Sequence, residues 1–320
     1  MVTASVVVLT HTFDPTADKV VDELNRRGVP VFRCDAAEFP ETLSVGAELR
    51  DGHWSGQLQT VRRRVELDQV TGIYYRRPTT FEFHRGLSED ERRWAAIQAR
   101  LGFGGLLASL DQWLNHPHRI GYAEYKPVQL RRAVACGLRV PRTLITNDPE
   151  RARAFVAGVG DAVYKPFGGA GVSDEDGFRY VFTTRVTADQ CADQNIARTM
   201  HTFQEWVPKK YEVRMTVVDG RVFAARIDAA SDAAHVDWRS DYHAISYATV
   251  EIPDVVRSGV SALLDSLGLR FGALDFIVTL DGEFVFLECN PNGQWAWIED
   301  ETGMPIAAAL ADALEGRPQS

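Results

Sequence analysis

Residues 271–280 and 283–289 form two apolar runs joined by Asp281-Gly282. That dipeptide between apolar stretches is a strong short-range signal for a tight hairpin. Each run also carries an acidic residue, in Leu274-Asp275-Phe276-Ile277-Val278 and in Phe286-Leu287-Glu288-Cys289-Asn290-Pro291-Asn292. Side chains alternate faces along a strand, so Glu288 and Asn290 share one face, and the adjacent strand brings Asp275 to it. Two carboxylates and an amide oxygen among apolar residues suit a hard cation such as Mg²⁺, which takes oxygen ligands and shares them with phosphates. A polar barrel rim or a hydrogen-bonded turn is the bland alternative, and it accounts for Asp275 alone better than for the three together.

The surrounding stretch reads as mostly antiparallel β-structure. Residues 211–218 and 221–227 flank a second hairpin signal, Asp219-Gly220, and a helix over about 254–267 stops at Gly268. The polar, aromatic segment 231–246 has the look of a long functional loop, and a helix over about 306–315 closes the chain.

Upstream the rhythm is α/β. A strand at 6–9 leads to Asp14-Pro15, an N-cap with a first-turn proline, and then Val20, Val21 and Leu24 recur at helical spacing before Gly28. A strand at 31–33, a hairpin around Asp51-Gly52, a strand at 73–75 and a capping box Ser88-x-x-Glu91 follow. This unit is expected to end near Pro117. A second unit contains a helix opened by Pro127, a strand at 143–146, a helix capped by Asn147-Asp148-Pro149, a strand at 162–165 and a return at 180–184. The expected division is 1–117, 118–202 and 203–320.

The chain has 320 residues, 45% of them hydrophobic and 25% charged, which fits a globular protein and excludes collagen, rods and disordered chains. The net charge of −9 argues against a broad nucleic-acid surface. No apolar stretch approaches transmembrane length and no signal sequence stands at Met1, so a cytoplasmic protein without a membrane partner is expected. Cys34, Cys136, Cys191 and Cys289 are scattered with no CxxC pair, which suits buried reduced thiols.

Lys165 ends a strand and precedes Gly168, Gly169 and Gly171, a loop whose N–H groups can cover phosphates while the lysine adds a point charge. It is neither a Walker A loop nor a Gly-x-Gly-x-x-Gly turn. Gln204, Glu205, Trp206 and Val207 form an extended connection whose main chain can read an adenine edge, or a plain interdomain strand. Glu212 and Arg214 share a strand face. Glu212 can accept from ribose hydroxyls, and Arg214 can fork onto a phosphate or carboxylate. Lys126, before a helix start, can reach phosphates, and Arg226 is a candidate phosphate or acyl-phosphate ligand, with a surface ion pair as its alternative. Trp238 and Arg239 suit peptide contact or packing. No nucleophile elbow supports a triad with His11.

Taken in order, Lys126, Lys165 with its glycine loop, residues 204–207, Glu212-x-Arg214, Asp275 and Glu288-x-Asn290 resemble the nucleotide and metal sites of the ATP-grasp superfamily. The resemblance covers about 115 to the C-terminus, and the preceding unit resembles a pre-ATP-grasp domain. The strings Lys126-Pro127-Val128-Gln129-Leu130 and Gly137-Leu138-x-Val140-Pro141-x-Thr143-Leu144-x-Thr146-Asn147-Asp148, with Tyr74-Tyr75-Arg76-Arg77-Pro78 and Asp237-Trp238-Arg239, are similar to the ATP-grasp maturases of ribosomal peptides, the graspetide macrocyclases. That family often has Asp-x-Arg where this chain has Glu212-x-Arg214.

The resemblance implies a mixed α/β and α+β chain with an ATP-grasp fold, and ATP and Mg²⁺ as cofactors. Asp275, Glu288 and Asn290 would hold the metal, and Arg214, Arg226 and Glu212 would act in catalysis. The implied partner is a ribosomal precursor peptide with leader and core, whose Asp or Glu side chains become acyl phosphates and then ω-ester or ω-amide rings. A homodimer stays open. A ligase for free amino acids or amines and a non-catalytic ATP sensor are the alternatives.

Overall fold

A computed structural model describes residues 5–168, 171–174 and 177–316. The first strand, β1 (Ser5–Thr10), is buried throughout. Asp14 accepts hydrogen bonds from Thr16 N and Ala17 N and so caps α1 (Pro15–Arg26), with Pro15 presetting the first turn. β2 (Val31–Cys34) pairs parallel with β1. β3 (Leu43–Arg50) and β4 (His53–Thr60) turn at Asp51-Gly52, both at positive φ, and β5 (Arg64–Glu66) completes a separate three-stranded sheet. β6 (Val70–Arg76) joins the other side of β1, and the capping box of Ser88 and Glu91 opens α2 (Glu89–Ala108).

Two helices, α3 (Pro117–Ala123) and α4 (Lys126–Ala135), follow. The central unit has β7 (Thr143–Thr146), α5 (Pro149–Val159), β8 (Ala162–Lys165), the hairpin β9 (Gly171–Asp174) and β10 (Gly177–Tyr180), β11 (Thr184–Val186) and β12 (His201–Glu205). Its antiparallel sheet runs β11-β8-β12-β7. β12 pairs with β7 as far as Gln204 and with β8 as far as Glu205. The expected return at 180–184 is divided between β10 and β11, and 181–183 line a cleft.

The C-terminal unit comprises β13 (Lys209–Val218), β14 (Arg221–Ala229), α6 (Asp232–Val236), β15 (Ile245–Thr249), α7 (Asp254–Leu267), β16 (Phe271–Thr279), β17 (Phe284–Asn290), α8 (Ala296–Thr302) and α9 (Ile306–Glu315). The five strands lie in the order β15-β14-β13-β16-β17. α7 stops at Gly268, which is left-handed with φ 68°. It packs Val256, Val260, Leu263 and Leu267 with Val213, Met215, Phe276 and Phe286 in one core cluster, so one face of the sheet is sealed. The opposite face is left for the cleft. Segment 231–246, expected as irregular, contains α6 and the start of β15.

Asn115 ties the units together. Its Nδ2 donates to Phe271 O and Pro291 O, and its Oδ1 accepts from Arg270 N and Phe271 N. α9 packs on α1 and β6, so the end of the chain completes the first unit's core. Among the described residues no helix is long and apolar enough to cross a membrane.

Candidate functional site

The cleft is built on the register of the five-stranded sheet. Asp275 stands opposite Glu288, and Ala273 opposite Asn290. The pairing then slips, because Phe276 faces Phe286 and Leu287 is the extra residue of a bulge. The bulge keeps Phe286 and Cys289 in the core while both Leu287 and Glu288 line the cleft. On the next strand Arg214 stands opposite Asp275, and Glu212 opposite Ile277. Opposed residues share a face, so Glu212, Arg214, Asp275, Glu288 and Asn290 lie on one face of the sheet.

β17 is an edge strand, and its free main-chain groups are met by α4 and the segment after it. The fully buried amide of Gln129 bonds both main-chain groups of Cys289. One turn earlier Lys126 reaches Glu288, with Nζ 2.6 Å from Oε2. The neighbouring Cys289 thiol is pushed up to about 12 by burial and is no nucleophile.

Cations crowd the two carboxylates. Arg214 Nη1 donates to Asp275 Oδ1 at 2.7 Å, and Arg239 Nη2 to Asp275 Oδ2 at 2.7 Å with Glu288 Oε1 3.5 Å away. Burial opposes the charge of Glu288, but Lys126, Lys165 and Arg239 outweigh it and hold its carboxyl well below the usual range. Burial pushes the Lys165 ammonium down. Four cations around Asp275 and Glu288 leave a positive excess suited to a polyphosphate.

Arg214 also donates to Gln294 O at 3.0 Å and runs past Gly293. A Cβ there would lie 2.4 Å from Ala273 Cβ and 2.9 Å from Arg214 Nη2, so only glycine lets the guanidinium through.

The cleft measures about 790 Å³ and adjoins a narrow slot whose apolar side is Pro141, Val163, Val207, Ile277 and Leu287 and whose polar side includes Lys165, Lys209 and Glu212. Residues 204–207 border this slot, but their roles divide. Gln204 Nε2 donates to Thr143 Oγ1, and the N–H groups of Glu205 and Trp206 bind Arg142 O and Asp161 O. Among the described residues the Val207 N–H has no partner, which leaves it free for the edge of a base. Glu212 accepts from Lys209 Nζ at 2.6 Å, and burial raises its pKa against that cation.

Arg226 does not belong to the cleft. It stands opposite Val213, one position out of phase with Arg214, and so projects from the other face. There its guanidinium forks onto Asp228 at 2.6 and 2.5 Å and lies over the Tyr211 ring. Arg239, for which the sequence suggested only peptide contact or packing, lines the cleft and donates to Asp275. Asp237 fixes that arginine by accepting from Arg239 N at 3.1 Å while its other oxygen accepts from Thr183 N. The Asp237-Trp238-Arg239 string was the available signal, but no periodicity links a loop residue to a strand face. Gly168 lines the cleft and Gly171 opens β9, whereas Gly169 lies outside the described residues.

Among the described residues no three His, Cys, Asp or Glu side chains form a metal cluster. The oxygen set is instead Asp275, Glu288 and Asn290, the last donating its Nδ2 to Glu288 Oε1 at 3.1 Å. Such a sparse set fits Mg²⁺, which keeps further positions for phosphate and water.

Residues 5–121 match the MvdD pre-ATP grasp domain family. The whole chain is similar to a RiPP-associated ATP-grasp ligase of Chryseobacterium gregarium, solved with ADP and a leader and core peptide, at 28% identity and TM-score 0.90, over 99% of this chain and 98% of that one. It is similar to the macrocyclase MdnC of Microcystis aeruginosa, bound with precursor peptide MdnA, at 27% identity and TM-score 0.84, over 98% and 99% of the two chains. The macrocyclase MdnB of the same organism aligns at 29% identity and TM-score 0.79, over 97% and 99%. No curated relative matches the sequence significantly.

Proposed function

We propose that the chain is an ATP-grasp ligase that matures ribosomal peptides, closing ω-ester or ω-amide rings in a precursor peptide at the expense of ATP. The observation that carries this reading is the convergence of Lys126, Lys165, Arg214 and Arg239 on Asp275 and Glu288 beside a narrow slot.

In this reading the slot takes the adenine and Val207 N–H binds its edge. Glu212 accepts from the ribose, and Lys126, Lys165 and the glycine loop hold the phosphates. Asp275, Glu288 and Asn290 hold Mg²⁺, which supplies charge neutralisation on the phosphate oxygens. A side-chain carboxylate oxygen attacks the γ-phosphorus, the bond to the ADP oxygen breaks, and an acyl phosphate forms. A hydroxyl or amine of the same peptide then attacks the acyl carbon, loses its proton and expels inorganic phosphate. Arg214 and Arg239 offset the negative charge that develops in both steps. Lys126 and Arg239, which contact the carboxylates of Glu288 and Asp275, are also placed to reach phosphate oxygens.

A leader segment docks on the central unit and presents the core to the cleft. The setting is the cytoplasm, where ATP is available and the four unpaired cysteines stay reduced. A second copy of the chain packs on the outer stripe of α2, where Trp94, Ile97 and Leu101 are exposed.

The test is incubation with the peptide encoded beside the gene, ATP and Mg²⁺. Each ring removes one water, about 18 Da by the balance of acyl transfer. Unchanged peptide mass with ADP released only on addition of a free amino acid would favour the free-substrate ligase.

A further inference from the structure

Three non-glycine residues among those described have positive φ: Asp51, Asp219 and Arg77. Asp51 and Asp219 each precede a glycine at φ 81° in a tight hairpin, and aspartate tolerates that region. Arg77, at φ 49°, has neither excuse. It is a long side chain, and it precedes Pro78, whose ring pushes the preceding residue toward extended backbone. A residue held in this region is sustained by its surroundings and points to function.

The surroundings are visible on both sides. Arg76 is buried at 1% exposure, donates to Asn292 O and faces Asp14 Oδ2 at 3.4 Å. Thr79 donates through N and Oγ1 to the two oxygens of Asp35, at 2.7 and 2.6 Å. The chain is pinned before and after Arg77, and the turn between carries its side chain into the cleft beside Arg214, Asn290 and Gln294.

The cleft offers Arg77 no counter-ion. Lys126, Arg214 and Arg239 each hold a carboxylate, whereas no ion pair of Arg77 occurs among the described residues. Partial burial and the like charges of Arg76 and Arg214 push its pKa down, and the opposite charges of Asp14 and Glu124, neither of which lines the cleft, offset them only in part. Arg77 does not line the narrow slot, which places it away from the base. The same cleft is lined by Trp238, Tyr247 and Trp297, with the Trp297 ring centroid 5.3 and 4.8 Å from the other two. A planar cation in a cleft that also carries aromatic side chains suits a peptide segment that brings a carboxylate.

We propose that Arg77 binds a side-chain carboxylate of the peptide substrate, so that the N-terminal unit supplies part of the selectivity for acidic peptides. The assignment rests on the ligase reading above. It concerns recognition, and the carboxylate bound need not be the one activated.

The test uses two synthetic peptides, a decapeptide of alternating Thr and Glu and its Thr-Gln counterpart, titrated by calorimetry into wild type and variants at low salt with AMPPNP present. Wild type is expected to bind the Glu peptide about tenfold more tightly than the Gln peptide, the scale of one charge-assisted fork. Arg77→Gln should abolish that preference and leave AMPPNP affinity within about twofold. Arg77→Lys should restore part of it. Arg77→Gly, which suits positive φ, should keep or raise Tm. Undiminished preference in Arg77→Gln overturns the assignment. So does a parallel loss of nucleotide affinity, which would make Arg77 a phosphate ligand. A fall in Tm in Arg77→Gly would make it a structural residue and overturn it too. A wild-type chain that binds no nucleotide overturns the ligase reading instead, a result separable from the peptide preference.

Discussion

Gln129 clasps the main chain of Cys289 from both sides: Nε2 donates to its carbonyl at 2.6 Å, and Oε1 accepts from its N–H at 2.9 Å. Nε2 also reaches Ala123 O. This one amide satisfies an edge strand, docks α4 on β17 and thereby sets Lys126 against Glu288.

Gln129→Leu keeps the volume and removes every one of these bonds. Three buried main-chain groups lose a partner, so the loss of stability should be at least about 2–4 kcal/mol. Thermal unfolding reads it. The same variant should weaken ATP binding, because Lys126 is no longer held at the cleft. Wild-type stability would show that another group replaces the amide.

Glu288→Gln preserves shape and removes one charge from the proposed metal set. kcat should fall by at least about 10²-fold, the scale for one preorganised electrostatic contact, with ATP affinity changed far less. Steady-state ADP release and nucleotide calorimetry separate the two. Near-normal turnover would take Glu288 out of the metal set.

Arg239 and Arg226 make a matched pair. Arg239→Met should abolish most turnover, since it removes the cation shared by Asp275 and Glu288. Arg226→Met should leave turnover nearly intact, and stability within about 1 kcal/mol, because its pair with Asp228 is a partly exposed surface pair. Equal losses in both would contradict the register assigned to β14.

Lys165 carries a pH signature. Burial lowers its pKa, and it must be protonated to hold phosphate. ATP affinity should therefore fall as pH rises through the lowered pKa, below the usual lysine range. Linkage has the opposite sign for stability. Between the folded and unfolded pKa values the unfolded chain binds more protons, so this residue makes stability rise with pH there. Lys165→Arg should flatten the alkaline fall in ATP affinity, since guanidinium stays charged. Titrations from pH 7 upward in both proteins test this.

Leader recognition predicts that leader peptide alone binds without ATP. The full precursor should react faster than core alone, because docking raises the local core concentration to the order of millimolar. Calorimetry with leader, core and full precursor measures it. Core alone binding and reacting as well as the precursor would favour the free-substrate ligase.

Local chemistry was legible in the amino-acid order. Strand parity puts Glu212 with Arg214 and Glu288 with Asn290 whatever the strands pair with. Asp-Gly turns, the Asp14 cap and the Ser88 box mark their own element ends, because each depends on residues within a few positions. What two strands do to each other was not legible. Arg226 left the cleft because β14 pairs with β13 in a register that sets it opposite Val213, and a shift of one residue reverses a face. The bulge that turns Leu287 and Glu288 into the same cleft arises between β16 and β17, not within either. Arg239 reaches Asp275 from a loop with no period to read, and Gln129 reaches Cys289 across 160 positions of chain. Short-range rules settled which residues could share a face. Only the packed sheet, with its one register and its edge strand in need of partners, decided which faces met.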